Sequence, residues 1–343
     1  MANTQTTTEK QRTIKWGILG PGSISRKFAE GLTSAPGAKL VAVGSRDQRR
    51  AQAFADEFAD DFQSMEAHGS YSALAADPNV DAIYVGTPHS FHHPHAILCM
   101  QAGKHVLCEK PFAINARQAQ EMVDVAREQK VILMEAMWAR FLPAMAKVRE
   151  LVKSGAMGEV RMVSSDFGFA AKFDPAGRLF DPALGGGAML DVGIYPLSFS
   201  YMVLGRPDRC ESVASLGPTG VDEQSSFLLG YESGQMAIGS TSIVADTPLV
   251  AAIQGTEGML SLPAPWWIAK SFTVTRKPVG VAKIEHFELP FLGNGYTHQA
   301  IEFGHLITEG RLESEIMPLA ESVQIMETLD QMRAQWGMKY PME

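Results

Sequence analysis

Short apolar runs alternate with helical patterns along the first part of the chain, and this alternation constrains the fold more than any other feature. Five runs have the length and composition of buried strands, at residues 14–19, 39–44, 82–85, 105–108 and 131–134. Helical segments lie between them, and Asn115 is a good N-cap for one of these segments. Because parallel strands need crossover connections of this kind, the alternation predicts a doubly wound parallel sheet, that is, an α/β Rossmann domain.

A glycine turn connects the first strand to the first helix. Gly20 and Gly22, followed by Ser23 and Ile24, resemble the dinucleotide fingerprint G-x-G-x-x-G/A, in which backbone N–H groups approach a pyrophosphate at a helix N-terminus. Ser25 departs from the third position of this fingerprint. An ordinary turn is the alternative, but the length of the strand–helix–strand unit favours cofactor binding by these four residues.

The end of the second strand carries a hydroxyl and several cations where NAD-binding domains usually place an acid. Ser45, Arg46 and Arg50 suit the 2'-phosphate of NADP. Two alternatives stay open at this point: the arginines could simply solvate the next helix, and Asp47 could bind a ribose hydroxyl. The sequence therefore favours NADP as the cofactor.

Four histidines follow the third of these strands, at positions 89, 92, 93 and 95. Pro94 interrupts a helical presentation of ligands, so a helix is predicted only from Ala96, and neither a carboxylate nor a cysteine completes a metal shell. We predict no metal site here but a loop beside the cofactor, with Thr87, Pro88 and His92 in contact with it.

The run from His105 to Cys108 ends abruptly in Glu109, Lys110 and Pro111. Proline fixes the backbone around Lys110, and ligands of parallel sheets bind beyond the carboxyl ends of the strands. Lys110 is thus a candidate for proton transfer. The alternative is a solvated Glu109–Lys110 pair of the kind that contributes little to stability.

The pattern changes after residue 138, which predicts a dinucleotide-binding domain at 12–138 and a substrate-binding and oligomerisation domain at 139–343. A glycine turn at 185–187 feeds a helix on which Asp191 and Tyr195, four residues apart, share one face. Short strands between residues 211 and 290 predict a large, mostly antiparallel sheet. The second domain is therefore predicted to be α+β.

Composition restricts the partners and the compartment. The net charge of −8 in 343 residues disfavours nucleic acid as a partner, and no stretch is expected to reach the length of a membrane span. Three cysteines fit no zinc motif and indicate a reducing compartment. The polar start of the chain has no apolar signal region, so a disordered tail and a cytoplasmic protein are expected.

Taken together, Gly20-x-Gly22, Glu109-Lys110-Pro111 and Gly187-x-x-x-Asp191-x-x-x-Tyr195 resemble the glucose-fructose oxidoreductase / inositol dehydrogenase (Gfo/Idh/MocA) family. Within it, the sequence looks most like the branch of dimeric dihydrodiol dehydrogenases and NADP-dependent D-xylose dehydrogenases. The resemblance implies a nicotinamide cofactor, contacted also by Glu109 and Lys110, and a homo-oligomer, dimer or tetramer, formed through the open sheet of the second domain.

The resemblance also implies a catalytic set. Tyr195 is the expected acid/base, and Asp191 is the expected orienting group. Lys110 is expected to be the electrostatic and proton-relay partner of Tyr195, and as a cation it should lower the pKa of the phenol. The roles of Tyr195 and Lys110 could be reversed. The substrate pocket is expected to contain four aromatic residues: Trp138, Phe167, Trp266 and Trp267. For the two adjacent tryptophans, Trp266 and Trp267, packing in the core is an equal alternative.

The predicted function is NADP-dependent hydride transfer to or from a carbohydrate or a cyclic diol. A catalytically silent NADP-binding regulatory or ligand-sensing protein of the same fold is the alternative, since fold does not fix function. A protein-interaction subunit that binds no nucleotide is the third possibility.

Overall fold

The computed structural model describes residues 12–276 and 282–343. The predicted disordered tail falls on residues 1–11, outside the described residues. The first half of the chain forms a six-stranded sheet in the order β3-β2-β1-β4-β5-β6, and all its pairings are parallel. The strands are β1 (Ile14–Leu19), β2 (Ala38–Gly44), β3 (Glu66–His68), β4 (Ala82–Val85), β5 (His105–Glu109) and β6 (Leu133–Ala136).

Five helices connect these strands and complete the doubly wound fold that the alternation predicts. They are α1 (Ser23–Leu32), α2 (Gln48–Glu57), α3 (Tyr71–Ala76), α4 (His92–Gln101) and α5 (Ala116–Gln129). Two features differ from the sequence prediction. Strand β3 was not predicted, because it is three residues long and has no apolar run. Helix α4 begins at His92 and contains Pro94, which is tolerated because it lies in the first turn, where an N–H has no partner in the helix.

The strand order reverses between β1 and its neighbours β2 and β4. Open parallel sheets bind ligands beside such a reversal, beyond the carboxyl ends of the strands. The glycine turn follows β1, Ser45 follows β2, Thr87 follows β4 and Lys110 follows β5. The topology therefore brings four separate predicted segments to one edge of the sheet.

The second half of the chain forms an eight-stranded sheet in the order β14-β13-β12-β11-β7-β10-β9-β8. Its pairings are antiparallel except for β7 with β10, which confirms the mostly antiparallel prediction. The strands are β7 (Val160–Gly168), β8 (Arg209–Leu216), β9 (Asp222–Gly230), β10 (Met236–Ser242), β11 (Ala251–Gly255), β12 (Gly258–Leu262), β13 (Ser271–Arg276) and β14 (Lys283–Glu288).

Helices of the second half pack on this sheet and on the first half of the chain. They are α6 (Pro143–Lys153), α7 (Ile194–Leu204), α8 (Thr297–Glu309) and α9 (Leu319–Trp336). The Thr297 hydroxyl donates to the carbonyl of Gly31 in α1 at 2.8 Å, and the N–H of Ala116 in α5 donates to Asp330 of α9 at 2.9 Å. These contacts hold the two halves together around the ligand-binding edge. The predicted domain boundary at residue 138 stays a prediction.

One segment contradicts the expectation that no stretch reaches the length of a membrane span. Residues Pro182–Leu204 are long and apolar enough by composition, with a mean hydropathy of 1.3. Within its apolar 18-residue window 83% of the residues are buried, and α7 in this segment contacts β7, β10 and α9. Packing on both sides accounts for its apolar character, as in the core helix of a folded domain.

Candidate active site

A cleft of about 610 Å³ opens at the carboxyl ends of the first sheet and extends to the second half of the chain. Asp191 and Arg178 come from that second half. The structure places every predicted cofactor-binding residue on its wall: Gly20, Gly22, Ser23, Ile24, Ser45, Arg46, Arg50, Thr87, Pro88, His92, Glu109 and Lys110. These positions are spread over 91 residues of sequence, from 20 to 110, so the fold gathers them.

The glycine turn has the shape that a dinucleotide requires. Gly20 has a φ of +93°, and a Cβ there would lie 2.9 Å from the Thr87 side chain. A Cβ on Gly22 would meet only the Gly86 carbonyl oxygen, at 3.8 Å, and would otherwise project into free space. Because α1 begins directly after Gly22, its unpaired N–H groups and positive dipole end are available to a phosphate. The turn therefore fits a pyrophosphate.

Ser25, which departs from the fingerprint, is accommodated by a glycine on the opposite strand end. The Ser25 hydroxyl is buried and donates to the Gly20 carbonyl at 2.6 Å. A Cβ on Gly86 would come within 2.3 Å of that hydroxyl oxygen. Gly86 thus provides the close packing that the third glycine of the fingerprint normally provides.

The far end of the cleft carries two cations, Arg46 and Arg50. Arg46 and Arg50 are exposed, and their side chains make neither an ion pair nor a hydrogen bond within the described part of the chain. The carboxylate of Asp47 instead accepts the N–H of Arg49 at 2.9 Å and caps α2. This arrangement turns Asp47 towards the helix and leaves Arg46 and Arg50 available for an anion.

His92 connects two of the loops that line the cleft. Its ring nitrogens lie 2.7 Å from the Pro111 carbonyl oxygen and 2.9 Å from the Thr87 carbonyl oxygen. Burial lowers the pKa of His92 to about 4, although both carbonyls favour the protonated ring. We therefore assign His92 a role in fixing the loops that hold Thr87 and Lys110.

The structure brings the three predicted catalytic residues together. The Lys110 ammonium donates to the backbone carbonyl of Asp191 at 2.6 Å and lies 3.6 Å from its carboxylate. The same nitrogen lies 5.1 Å from the centre of the Tyr195 ring. Lys110 and Asp191 are 81 residues apart in sequence, so this contact depends on how the two halves of the chain pack.

Asp191 lies in a π-helical segment, Met189–Gly193, and not in a regular α-helix as the four-residue spacing had suggested. Such segments are wider than an α-helix and frequent at functional sites. Arg178 donates to the two carboxylate oxygens of Asp191 at 2.7 and 3.4 Å. Burial alone would raise the pKa of Asp191, but the charges of Lys110 and Arg178 outweigh it and hold that pKa well below its usual range. Asp191 is therefore a stable carboxylate.

Tyr195 is buried, and its hydroxyl oxygen accepts the indole N–H of Trp138 at 2.9 Å. Burial and the nearby Glu109 carboxyl raise the pKa of Tyr195 well above its usual value, and the Trp138 N–H opposes them. The expectation of a lowered pKa at Tyr195 is wrong, because burial and Glu109 set the direction of the shift; the Lys110 ammonium lies over the ring, 5.1 Å from its centre. Tyr195 is thus a neutral phenol with a proton to donate.

Glu109 lies at the base of the catalytic group. The Tyr84 hydroxyl donates to one of its carboxyl oxygens at 2.5 Å, and the Lys110 backbone N–H donates to the other at 3.2 Å. Burial raises the pKa of Glu109 to about 7, against the charge of Lys110. Both contacts fix the backbone at Lys110, so the solvated pair considered from the sequence is not what the structure shows.

Two stacked aromatic pairs flank Tyr195. Trp138 stacks on Tyr296 with ring centres 4.4 Å apart, and Phe167 stacks on Trp267 at 3.6 Å. The Phe167 ring centre is 5.3 Å from that of Tyr195. Three of the four predicted pocket aromatics therefore lie beside the catalytic group.

Trp266 does not join them. It is 1% exposed, its indole N–H donates to the Asp166 carbonyl at 2.8 Å, and its ring packs against Phe199. Trp266 therefore packs in the core, which was the alternative considered for the two adjacent tryptophans. Trp267 differs because the short 3-10 turn at 266–268 directs the two neighbouring side chains differently, with ring planes at 89°.

Comparison with known proteins agrees with this geometry. Residues 14–137 match the model of the GFO_IDH_MocA oxidoreductase family, described as an NAD-binding Rossmann fold, and residues 145–261 match the GFO/IDH/MocA C-terminal domain. The chain belongs to the Gfo/Idh/MocA family. The predicted family, fold and oxidoreductase class are confirmed.

The chain is similar to proteins named trans-1,2-dihydrobenzene-1,2-diol dehydrogenase. The one from Xenopus tropicalis is 37% identical over 95% of this chain and 99% of its own, and the human one is 35% identical over 96% and 99%. Among solved structures, a 3-ketoreductase from Actinomadura kijaniata in complex with NADP and TDP-benzene is 25% identical, with a TM-score of 0.82 over 94% of this chain and 98% of that one.

Levoglucosan dehydrogenase in complex with NADH shares the fold, with a TM-score of 0.85 over 95% of this chain and 97% of that one, at 18% identity.

Several residues at the cleft and beside the catalytic group were not predicted from the sequence. Lys27 and Tyr71 line the cofactor end, and Tyr296 reaches the aromatic group from the start of α8. Arg178 had one sequence signal, since it is the only lysine or arginine between Lys172 and Arg206. The other three had none, because only tertiary packing brings them to the cleft.

The histidines at positions 89, 93 and 95 lie within hydrogen-bonding distance of other groups of the protein. His89 lies 2.8 Å from the Gly185 carbonyl oxygen, His93 lies 2.8 Å from the Glu121 carboxylate, and His95 lies 3.1 Å from the Thr87 hydroxyl. In residues 12–276 and 282–343, no three potential metal ligands converge. The expectation of no metal site stays a prediction.

Proposed function

We propose that this protein is an NADP-dependent dehydrogenase or reductase that acts on a CH–OH carbon of a sugar or of a cyclic trans-diol. The observation that carries the proposal is the convergence of three residues: Lys110 and Asp191 line a cleft that begins at a dinucleotide turn, and the Tyr195 ring centre lies 5.1 Å from the Lys110 nitrogen. Relatives 35–37% identical over almost the whole chain are named as diol dehydrogenases. This intact site favours an enzyme over the catalytically silent alternative.

The cofactor is NADP. Solved structures that resemble this chain at 25–26% identity contain NADP, and Arg46 and Arg50 offer two exposed guanidinium groups beside the buried Ser45. Guanidinium groups bind phosphate oxygens in a bidentate manner. When bound, the nicotinamide supplies or accepts the hydride, and the protein residues manage the accompanying proton.

Tyr195 is placed to move that proton. Because its oxygen already accepts the Trp138 N–H, the phenolic hydrogen is free to point at a substrate oxygen. The same N–H stabilises the phenolate that forms when the proton leaves, and Lys110 contributes its positive charge from the ring face. A positioned acid/base of this kind contributes about 10²- to 10⁴-fold to the rate.

Lys110 and the aromatic pairs bind and orient the substrate. The ammonium uses one of its three N–H donors on the Asp191 carbonyl, which leaves donors for the reacting oxygen. Phe167, Trp138 and Trp267 offer apolar faces that suit a sugar ring or a cyclohexadiene ring. Together they would hold the carbon that exchanges hydride next to the Tyr195 hydroxyl.

We further propose a homo-oligomer, a dimer or tetramer, in which a second copy covers the open face of the eight-stranded sheet. Large apolar side chains are 40% exposed or more on its strands: Val213, Leu216, Leu228, Met236, Ile238, Met259 and Ile284. A groove of about 600 Å³ crosses the same face. Clusters of exposed apolar side chains are typical of contact surfaces. All three cysteines are free thiols, which supports the cytoplasm as the compartment.

The test is a panel of aldoses, ketoses and cyclic trans-diols assayed for NADPH and NADH formation, with Lys110→Met as the matched inactive control. We expect turnover with at least one substrate, a preference for NADP, and loss of that turnover in the control. NADPH binding without turnover on any substrate, in either direction, would support the regulatory alternative instead.

A further inference from the structure

The carboxylate of Asp191 lies within reach of three nitrogen-bearing side chains. Arg178 is the nearest, at 2.7 Å, followed by Lys110 at 3.6 Å and His89 at 3.9 Å. Burial lowers the pKa of His89 to about 3, so His89 is neutral. Arg178 and Lys110 are therefore the two cations that compete for one anion.

Geometry favours Arg178 in this competition. Its planar fork meets both carboxylate oxygens, at 2.7 and 3.4 Å, and such paired contacts are stronger and more directional than a single ammonium contact. Lys110 donates instead to the backbone carbonyl of the same residue, at 2.6 Å. The ammonium is thus anchored by a neutral dipole, and the carboxylate, 3.6 Å away, is close enough to attract it but does not accept a hydrogen bond from it.

The arginine reaches the site from a segment outside both sheets. This segment, residues 169–181, is anchored by Phe180, which packs with Ala188, Val192 and Ile243 in a small separate core. Turn bonds at 2.9 and 3.0 Å, from Gly177 to Asp174 and from Phe180 to Gly177, fix its shape. The Arg178 side chain is 57% exposed, whereas that of Asp191 is 6% exposed. Arg178 therefore covers the carboxylate from the solvent side.

We propose that Arg178 is a positioning residue: by holding the Asp191 carboxylate in its fork, it keeps that carboxylate off Lys110 and leaves the ammonium free for the substrate oxygen. This inference rests on the proposed function. Arg178 acts through Asp191 and Lys110, without a required contact to the substrate.

Removal of Arg178 should let the carboxylate turn to the remaining cation, since only about an ångström separates their present 3.6 Å from a close ion pair. The ammonium would then lose a donor and part of its charge to Asp191. We expect kcat to fall on the order of 10- to 100-fold, which corresponds to the loss of one charge-assisted hydrogen bond. The Kd for NADPH should stay within about twofold, because the cofactor end of the cleft is unchanged.

The experiment compares Arg178→Ala, Arg178→Lys and Asp191→Asn with the double variant Arg178→Ala/Asp191→Asn. The matched control is Arg161→Ala, which removes an arginine of similar exposure, 51%, paired with Glu159 on the surface. Added guanidinium chloride should restore part of the kcat of Arg178→Ala, because the lost side chain is accessible to solvent. Arg178→Lys should keep more activity than Arg178→Ala, and the double variant should lose little more than Asp191→Asn alone.

A crystal structure of Arg178→Ala provides a measurement that does not depend on turnover. We expect a carboxylate oxygen of Asp191 within about 3 Å of the Lys110 nitrogen. If no substrate is turned over by the unmodified protein, the proposed function fails, and this distance still decides the positioning role. An unmoved carboxylate, or a kcat of Arg178→Ala equal to that of Arg161→Ala, overturns the inference. If Arg178→Ala does not fold, Arg178→Gln, which keeps the length of the stem, is measured in the same way.

Discussion

The two ends of the cleft are built in different ways. The cofactor end takes most of its polar groups from two nearby loops, residues 20–24 and 45–50, with the loop at Thr87 beside them, and offers backbone N–H groups and exposed arginines to its ligand. The catalytic end is assembled from residues as far apart as Lys110 and Tyr296, and its carboxylate and phenol are buried. Within residues 12–276 and 282–343, the arginines of the first end have no protein partner, whereas the carboxylate of the second end is paired with Arg178.

This difference has a physical reason. A ligand that brings its own phosphates provides the counter-charge, so exposed arginines cost little before it binds. Proton transfer needs a fixed geometry in a partly dry site, and a buried charge without a partner is costly. The catalytic end therefore has its ion pair, Asp191 with Arg178, already formed. Substitutions at the cofactor end should change binding, whereas substitutions at the catalytic end should change kcat.

The largest effect is expected at the glycine turn. A valine at Gly22 finds room in the free protein, because the nearest atom to its Cβ is 3.8 Å away, but its side chain fills the space of the pyrophosphate. Gly22→Val should abolish NADPH binding in a fluorescence titration while the circular dichroism spectrum stays native. The control is Gly304→Val in helix α8. A Cβ at Gly304 would lie 4.0 Å from the Ile14 side chain, and this variant should bind NADPH normally. Retained affinity in Gly22→Val would mean that the turn holds no pyrophosphate.

Lys110→Met should separate binding from catalysis at the other end. We expect kcat to fall on the order of 10²-fold or more with little change in NADPH affinity. Because Lys110 and Tyr195 act as one unit, Lys110→Met/Tyr195→Phe should cost much less than the product of the single losses. Lys104→Met is a suitable control, since Lys104 donates to the backbone carbonyls of Asp77 and Val80 and does not line the cleft. Independent, multiplying losses would contradict a shared site.

Arg46→Asp should change the choice of cofactor. A guanidinium contact to the 2'-phosphate contributes about 1.5–3 kcal/mol, so kcat/KM for NADP should fall about 10- to 100-fold, while that for NAD should stay or rise. Arg49→Asp is the matched control, because Arg49 already pairs with Asp47 and does not line the cleft. An unchanged ratio of the two cofactors in Arg46→Asp would remove the assignment of the 2'-phosphate site.

The smallest effect is expected from the hydrogen bond to the phenol. Trp138→Phe keeps the stacking on Tyr296 but removes the N–H that Tyr195 accepts at 2.9 Å. A hydrogen bond of this kind contributes about 1 kcal/mol, so kcat should fall about fivefold. Trp267→Phe, which leaves that hydrogen bond intact, should change KM for the substrate more than kcat. Equal kcat values in both variants would show that the indole N–H does not assist Tyr195.

The cofactor end could be predicted from the sequence because its information is local. A strand, a glycine turn and a helix follow one another directly, and the side-chain N-cap of Asn115, observed at 2.9 Å, likewise depends on residues three apart. Strand β3 was missed because three mixed residues carry no periodicity. Helix α4 was predicted to begin too late because Pro94 was taken as an interruption and not as part of the first turn.

The catalytic end could be predicted only where motifs marked it. Lys110, Asp191 and Tyr195 came from the family resemblance, whereas Arg178 and Tyr296 lie in segments whose sequence does not reveal that they meet. The raised pKa of Tyr195 also depends on burial of the phenol and on the nearby Glu109 carboxyl. Such quantities depend on tertiary packing, which spacing along a chain does not provide.

The central claim, that Tyr195 passes a proton at a site built for hydride transfer, is tested most directly by Tyr195→Phe. The substitution removes one hydroxyl and leaves the ring between Lys110 and Phe167. With the best substrate and NADP, measured across a pH series, we expect kcat to fall on the order of 10²-fold or more while NADPH affinity and fold are unchanged. A near-normal kcat in Tyr195→Phe would contradict the claim and assign the proton transfer to Lys110 alone.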